Sequence, residues 1–174
     1  MSKALRLSCV ALWACAALVL PAAGSATPAS TSFTIVGYEY AFTPTVGTFA
    51  GSGRGGADET AVWNAVVKHD RLGSVPAYVK GGSVAMTIRS AKGSLDAIVG
   101  TLTYHGGKIT TLERGANCTN QRYRVMATLQ DVRTTSSEGG AGELAVTLTH
   151  YRKRLLGRCV AYTARVAGTV SFTY

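Results

Sequence analysis

Residues 159–174 of the chain read CVAYTARVAGTVSFTY, and this stretch decides the fold. Apolar residues, aromatic residues and one glycine occupy every second position from Val160 to Tyr174, and smaller or polar residues fill the gaps. This period of two is typical of a strand with one face in a core and one face near water. Fully extended, the strand would span about 50 Å, so it is expected to bend, with Gly168 as the natural place. Such a strand is typical of a small barrel or a strongly coiled sandwich.

Shorter alternating segments precede this strand. They lie at about residues 33–40, 46–50, 84–89, 98–104, 109 onward, 123–129 and 144–148. The sequence therefore predicts an all-β, antiparallel fold of seven or eight strands, a barrel in preference to a barrel-like sandwich. Gly106-Gly107 is predicted to form a hairpin turn, because such a turn needs positive φ at both central residues. Residues 51–56, rich in glycine, are predicted to form a flexible loop.

The stretch before Gly73 carries the signals of a helix. Two acids, Asp58 and Glu59, lie at its start, three basic or imidazole side chains lie near its end, and Gly73 occupies the usual stop position. The valines inside the stretch are β-branched and favour a strand instead. We therefore allow for one short helix over about residues 60–71, with Trp63 as a buried core residue.

Residues 1–26 have the pattern of a secretory signal peptide. Two cations near the start precede an apolar run at residues 7–20 and a small-residue cleavage region. Cleavage after Gly24 fits nearly as well as cleavage after residue 26, whereas a lipid anchor at Cys15 fits less well. No later segment has the length and apolarity of a membrane helix. We expect a secreted or extracytoplasmic protein with a single β domain over residues 27–174.

Two of the four cysteines, Cys118 and Cys159, remain after removal of the predicted signal. In an oxidising compartment a lone pair is most simply one disulfide. Closing a loop of about 40 residues would stabilise the fold by about 3–4 kcal/mol, because the cross-link lowers the entropy of the unfolded chain. A two-cysteine metal site is the rival, but no histidine lies close to either cysteine in sequence. We expect no metal and no cofactor, since neither a His-x-x-x-His pattern nor an acidic calcium loop is present.

Positive charge is concentrated in two short windows around these cysteines. The seven cations are Arg114, Arg122, Arg124, Arg152, Lys153, Arg154 and Arg158. One acid, Glu113, lies among them, whereas the rest of residues 27–174 has nine basic and eight acidic residues. Antiparallel connections bring both windows to one end of the sheet. The sequence therefore predicts a basic rim held together by the disulfide.

The basic rim indicates a binding protein that does not catalyse a reaction. Its expected partner is an anionic polymer, an anionic membrane or cell surface, or an acidic protein. The alternative is a solvated basic edge that keeps the protein soluble and blocks edge-to-edge pairing. Nucleic acid is not expected, because an exported protein meets little of it and aromatic residues near the rim are few.

An enzyme is the second hypothesis, in which a small apolar substrate lies inside the barrel. His150, Tyr123 and Tyr162 are weak candidates for moving its protons. His150 falls in step with apolar residues of its strand, which is more typical of a core histidine, and no serine lies in a nucleophile elbow. The sequence therefore assigns no catalytic residue. A structural surface protein is the third hypothesis.

Overall fold

The computed structural model describes residues 29–56 and 58–174, and within them the chain forms eight strands. They are β1 (Ser30–Thr43), β2 (Val46–Arg54), β3 (Thr60–His69), β4 (Ala77–Arg89), β5 (Leu95–Glu113), β6 (Gln121–Arg133), β7 (Gly140–Leu155) and β8 (Arg158–Thr173). A 3-10 turn at Ala116–Cys118 lies between β5 and β6. The described residues contain no helix with the length and apolarity needed to cross a membrane. The predicted signal peptide, residues 1–26, lies outside the described residues.

Each strand pairs antiparallel with the next, and β8 pairs with β1 to close the barrel. The closing ladder runs from Ser30 opposite Thr173 to Glu39 opposite Ala164. Closure leaves no unpaired edge along this part of the sheet. The predicted all-β antiparallel barrel is confirmed, with eight strands.

The barrel interior is filled by side chains from every strand. Along β8 the residues Ala164, Val166, Val170 and Phe172 are buried, as the alternation predicted. Tyr162 belongs to the same alternating row but is exposed, because β8 has left the barrel by that point. The inward row of the last strand is therefore confirmed for its second half only.

The predicted helix over about residues 60–71 is wrong, because this segment is β3. Its odd-numbered residues, from Ala61 through Trp63 to His69, are buried, and its even-numbered residues are exposed. Alternating burial of this kind gives a half-buried strand more apolar contact than a helix could, and the β-branched valines favour it locally. The acids before β3 instead belong to a turn in which Asp58 has a φ of 62°.

Two predictions made from glycines are also wrong. Residues 51–54 are part of β2 and pair with both neighbouring strands, so they are not a flexible loop. Gly106-Gly107 lies inside the 19-residue strand β5 and does not form a hairpin turn. The β5–β6 register shifts between Leu102 and Gly107, so the glycines accommodate an irregularity in a long strand.

Trp63 ties three neighbouring strands together at one level of the barrel. It lies in register with Gly51 of β2, which in turn pairs with Gly37 of β1. Its indole Nε1 donates to the carbonyl oxygens of Val36 and Ser52, both at 3.1 Å. The two glycines provide the space for the ring, since a Cβ at Gly37 would lie 2.6 Å from Trp63 Cζ2.

Replacing Gly51 with alanine tests this arrangement. A Cβ there would overlap the Val36 carbonyl oxygen and lie 2.8 Å from Trp63 Nε1, so backbone must move. We expect Gly51→Ala to lower the free energy of unfolding by about 1–3 kcal/mol, as overpacking does. Gly56→Ala is the control, because no other described residue has an atom within 4 Å of its Cβ position. Urea unfolding followed by circular dichroism measures both, and equal midpoints for the two variants would contradict the packing described.

Candidate functional site

Four connections meet at one end of the barrel, which we call the disulfide end. They are the turn at residues 44–45 and the loops at 70–76, 114–120 and 156–157. The half of the described chain nearer this end carries twelve basic and three acidic residues, a net charge of +9. The opposite half carries four basic and six acidic residues, a net charge of −2.

The charged residues of the disulfide end come from seven of the eight strands and from two of the loops. The basic ones are Lys68, Arg71, Lys80, Lys108, Arg114, Arg122, Arg124, Arg152, Lys153, Arg154, Arg158 and Arg165, and the acidic ones are Glu39, Asp70 and Glu113. Charge segregated in this way produces a field that attracts anions to one end of the molecule.

The last hairpin projects beyond the barrel at this end. The β6–β7 ladder stops at Gln121 opposite His150, and the β1–β8 ladder stops at Glu39 opposite Ala164. The β7–β8 pairing continues through Leu155 opposite Arg158. Residues 151–163, which we call the basic arm, therefore form a two-stranded ribbon that reaches about 15 Å past the wall.

The β5–β6 loop is fastened to the basic arm at three places. Cys118 forms the predicted disulfide with Cys159, with 5.5 Å between their Cα atoms. Arg152 donates from its guanidinium to the Gly115 carbonyl oxygen at 3.0 Å, and from its backbone N–H to Asn120 Oδ1 at 3.4 Å. A two-stranded ribbon alone is marginally stable in water, so these fastenings fix its direction.

Six of the seven predicted rim cations lie on or beside the basic arm. Arg114 lies in the fastened loop, and Arg122 forms an ion pair with Glu113 at 2.6 Å. Lys153 lies with its Nζ 5.0 Å from the ring centroid of Tyr162, an arrangement that favours the cation. The remaining arm cations are Arg152, Arg154 and Arg158, of which the last two are exposed.

Arg124 does not join this group. It points outward from the barrel wall on β6, paired in register with Thr110 and Thr147. Next to it is a surface pocket lined in part by Met126 and Gly168. Tyr162, a weak catalytic candidate, lies on the arm beneath Lys153 and does not line the pocket that contains the other two candidates.

His150 and Tyr123 meet at the mouth of the barrel with a third residue, Glu39. The Glu39 side chain is only 4% exposed, and its Oε2 accepts from His150 Nε2 at 3.2 Å. The Tyr123 ring lies edge-on to the imidazole with 5.7 Å between centroids. Burial raises the pKa of Tyr123, although nearby Arg152 acts in the opposite direction. The tyrosine is therefore a neutral hydroxyl at physiological pH.

The mouth pocket and the interior cavity differ greatly in size. The pocket beside Tyr123 and His150, bordered by Arg71 and Leu72, measures about 320 Å³. The interior below Leu72 leaves about 40 Å³, lined by apolar side chains and His69. An apolar cavity that accepts benzene measures about 150 Å³. The interior is therefore too small for a molecule of that size, whereas the pocket at the mouth is open to solvent and has room for one.

The other two histidines have local partners. His69 Nδ1 donates to the Asp70 carbonyl oxygen at 2.7 Å. His105 lies within β5, directly before the Gly106-Gly107 pair, where it stacks on Tyr104 at 4.1 Å between centroids and accepts a hydrogen bond from Lys80 Nζ at 2.9 Å. The backbone N–H of Tyr78 is the main cause that lowers the pKa of Asp70, which also pairs with Lys80 at 3.3 Å.

Sequence reasoning missed Glu39, although the alternating pattern of β1 indicates that this residue faces the core. Glu39 falls on the same every-second-residue row as Phe33 and Ile35, both fully buried. A carboxylate in step with core residues is unusual and indicates a buried partner. Within the described residues, no group of three or more histidine, cysteine or acidic side chains is arranged to hold a metal ion.

Comparison with known proteins gives no match. No protein-family model fits the chain, and no curated protein and no solved structure is significantly similar to it.

Removing the disulfide tests how the arm and loop are stabilised. The double change Cys118→Ser and Cys159→Ser opens a link across 41 residues of sequence separation. We expect the free energy of unfolding to fall by about 3–4 kcal/mol, because the unfolded chain gains entropy. Urea titration followed by Trp63 fluorescence measures the loss. Dithiothreitol should weaken the parent protein by a similar amount and leave the double variant unchanged, and a loss below about 1 kcal/mol would contradict the expectation.

Proposed function

We propose that this protein is a secreted binding protein without catalytic activity, which holds an anionic partner against the basic arm. The observation that carries the proposal is the charge segregation, +9 at the disulfide end against −2 at the other. A surface that served only solubility would gain from cations spread over the molecule. Crowding them on one projecting element favours a contact role.

Few carboxylates neutralise the basic arm from within the described chain. Arg122 is paired with Glu113, and Arg152 is directed to a carbonyl oxygen. Lys153, Arg154 and Arg158 form no salt bridge with a carboxylate among the described residues. Mutual repulsion of these cations destabilises the free protein, and an anionic partner would relieve it. The arm is therefore arranged to gain electrostatic energy on binding.

The fastened arm also limits the entropy lost on binding. The disulfide and the two Arg152 hydrogen bonds hold the ribbon to the β5–β6 loop before any partner arrives. Preordered contact groups lose less conformational freedom in a complex, so a larger part of the electrostatic attraction becomes affinity. The disulfide also supports an oxidising, extracytoplasmic location, in agreement with the predicted signal peptide.

Neutralising the free arm cations tests the proposal. We expect Lys153→Gln, Arg154→Gln and Arg158→Gln together to weaken binding to heparin at least tenfold. The slope of log Kd against log salt should fall by about 2–3, because three counterion-releasing contacts are lost. Arg152 is left in place, since it holds the loop. Isothermal titration at several salt concentrations measures both quantities.

A matched control separates a local contact from net charge. Arg54, Arg89 and Arg133 are three exposed cations of the opposite half. Changing all three to glutamine alters the net charge by the same amount and should leave heparin affinity nearly unchanged. Equal weakening by both triple variants, or binding that does not respond to salt, would overturn the proposal.

The mouth cluster favours a second candidate function, acid–base chemistry on a small molecule. The Glu39 side chain is only 4% exposed and is hydrogen-bonded to His150, which lines a pocket of about 320 Å³. A carboxylate–imidazole pair of this kind can hold and transfer a proton, and neutral Tyr123 can donate a hydrogen bond beside it. In this interpretation the substrate lies at the mouth, against Leu72 and Phe42, and not in the interior.

Fragment binding tests the second candidate. We expect small aromatic fragments to shift the backbone amide resonances of Gln121 and His150 in the ¹⁵N-labelled protein, since both residues border the pocket. The Glu39→Gln variant keeps the shape of the side chain and removes the charge behind His150, so it should weaken the binding of fragments that form a hydrogen bond with the imidazole. If no fragment perturbs the mouth, or if Glu39→Gln binds every fragment equally well, the cluster has a structural role only.

A further inference from the structure

The tip of the basic arm exposes two leucines between cations. Leu155 is 55% exposed and Leu156 is 96% exposed, at the point of the molecule farthest from the barrel wall along this ribbon. Arg154 precedes them and Arg158 follows after Gly157. Isolated exposed leucines are ordinary on protein surfaces. Leu155 and Leu156, however, are adjacent on a projecting turn, so together they form a small apolar patch with a cation on either side.

Leu156 is also an unfavourable residue for the backbone it adopts. Leu156 and Gly157 have φ values of 49° and 76°, so both central residues of this two-residue hairpin lie in the left-handed region. Hairpin turns of this geometry strongly favour asparagine followed by glycine, and leucine pays a conformational cost there. Neither the turn nor the core explains the leucine. A residue that is unfavourable for its own backbone and adds no packing within the protein indicates a role in binding an external partner.

We propose that the partner of the basic arm is an anionic lipid bilayer, with Leu155 and Leu156 entering the interface while the arm cations contact lipid headgroups. This inference rests on the proposed function and names its partner. Electrostatic attraction and burial of apolar side chains act together when a basic, apolar-tipped element binds a charged bilayer. A soluble polyanion would use the cations and leave the leucines in water, so the leucines distinguish the two.

Exposed aromatic residues at the same end support the lipid assignment. Tyr40 and Phe42 lie on the part of β1 beyond its last pairing with β8, and both are exposed. The β1 segment that carries them pairs with β2 near the turn at residues 44–45. Tyrosine is enriched where proteins contact the lipid headgroup region, because its ring is apolar and its hydroxyl stays hydrated. The disulfide end thus combines cations, tip leucines and interfacial aromatics.

Vesicle sedimentation tests the inference on the purified protein. We expect binding to vesicles of phosphatidylcholine with phosphatidylserine and little binding to phosphatidylcholine alone. Leu156→Asn should weaken vesicle binding about tenfold, because one apolar side chain no longer leaves water. The same change supplies the Asn-Gly pair that the turn favours, so thermal stability should be kept or raised and a folding defect cannot explain the loss. Heparin affinity should stay within about twofold, since no charge is altered.

A second variant reports insertion directly. In Leu156→Trp the indole should shift its emission to the blue with anionic vesicles and be quenched by brominated acyl chains. Unchanged vesicle binding by Leu156→Asn, or an indole that stays unquenched, would overturn the lipid assignment. Loss of heparin binding in the arm triple variant would then still support an anionic partner. If the parent protein binds neither heparin nor anionic vesicles, the proposed function itself fails.

Discussion

The closing ladder between β1 and β8 is the constraint on which the rest of the molecule depends. It pairs residues 30–39 with residues 164–173 and stops there. Since β8 is sixteen residues long and begins at Arg158, its first six residues have no partner on that side. They can pair only with β7, so the ribbon must leave the wall. The barrel register thereby determines where the basic arm begins and which residues reach its tip.

The basic arm is destabilised by repulsion among its own cations and stabilised by its covalent link to the β5–β6 loop. Cations on a narrow ribbon repel one another, and a ribbon of two strands has little core of its own. The disulfide and the Arg152 hydrogen bonds offset this by anchoring the ribbon to the β5–β6 loop. That loop brings Arg114 with it and lies next to the Arg122–Glu113 pair. One covalent link therefore stabilises the arm and also increases the local charge density.

The sequence predicted those features that follow from local alternation and from counting cysteines. The barrel class, the buried half of β8 and the Cys118–Cys159 link are of this kind. The helix predicted over about residues 60–71 is wrong because the period of two within this segment outweighs the charges at its ends. The turn predicted at Gly106-Gly107 is wrong because glycine in a long barrel strand also permits a register shift. In both cases the pairing with neighbouring strands, which is not local in sequence, decides the structure.

The arm could not be predicted in this way, because it depends on the relative lengths and registers of strands far apart in sequence. The same holds for the mouth, where Glu39 and His150 are 111 residues apart and meet at 3.2 Å. A local rule is broken at each of these places, at the mouth by a carboxylate whose side chain is only 4% exposed and on the arm by an exposed Leu156 with left-handed backbone. Side chains nearly fill the barrel interior and leave a cavity of about 40 Å³. Packing of the core therefore requires neither Glu39 at the mouth nor Leu156 at the arm tip. Residues that break local rules are often found at functional sites, so these two departures favour the disulfide end as the location of the proposed function.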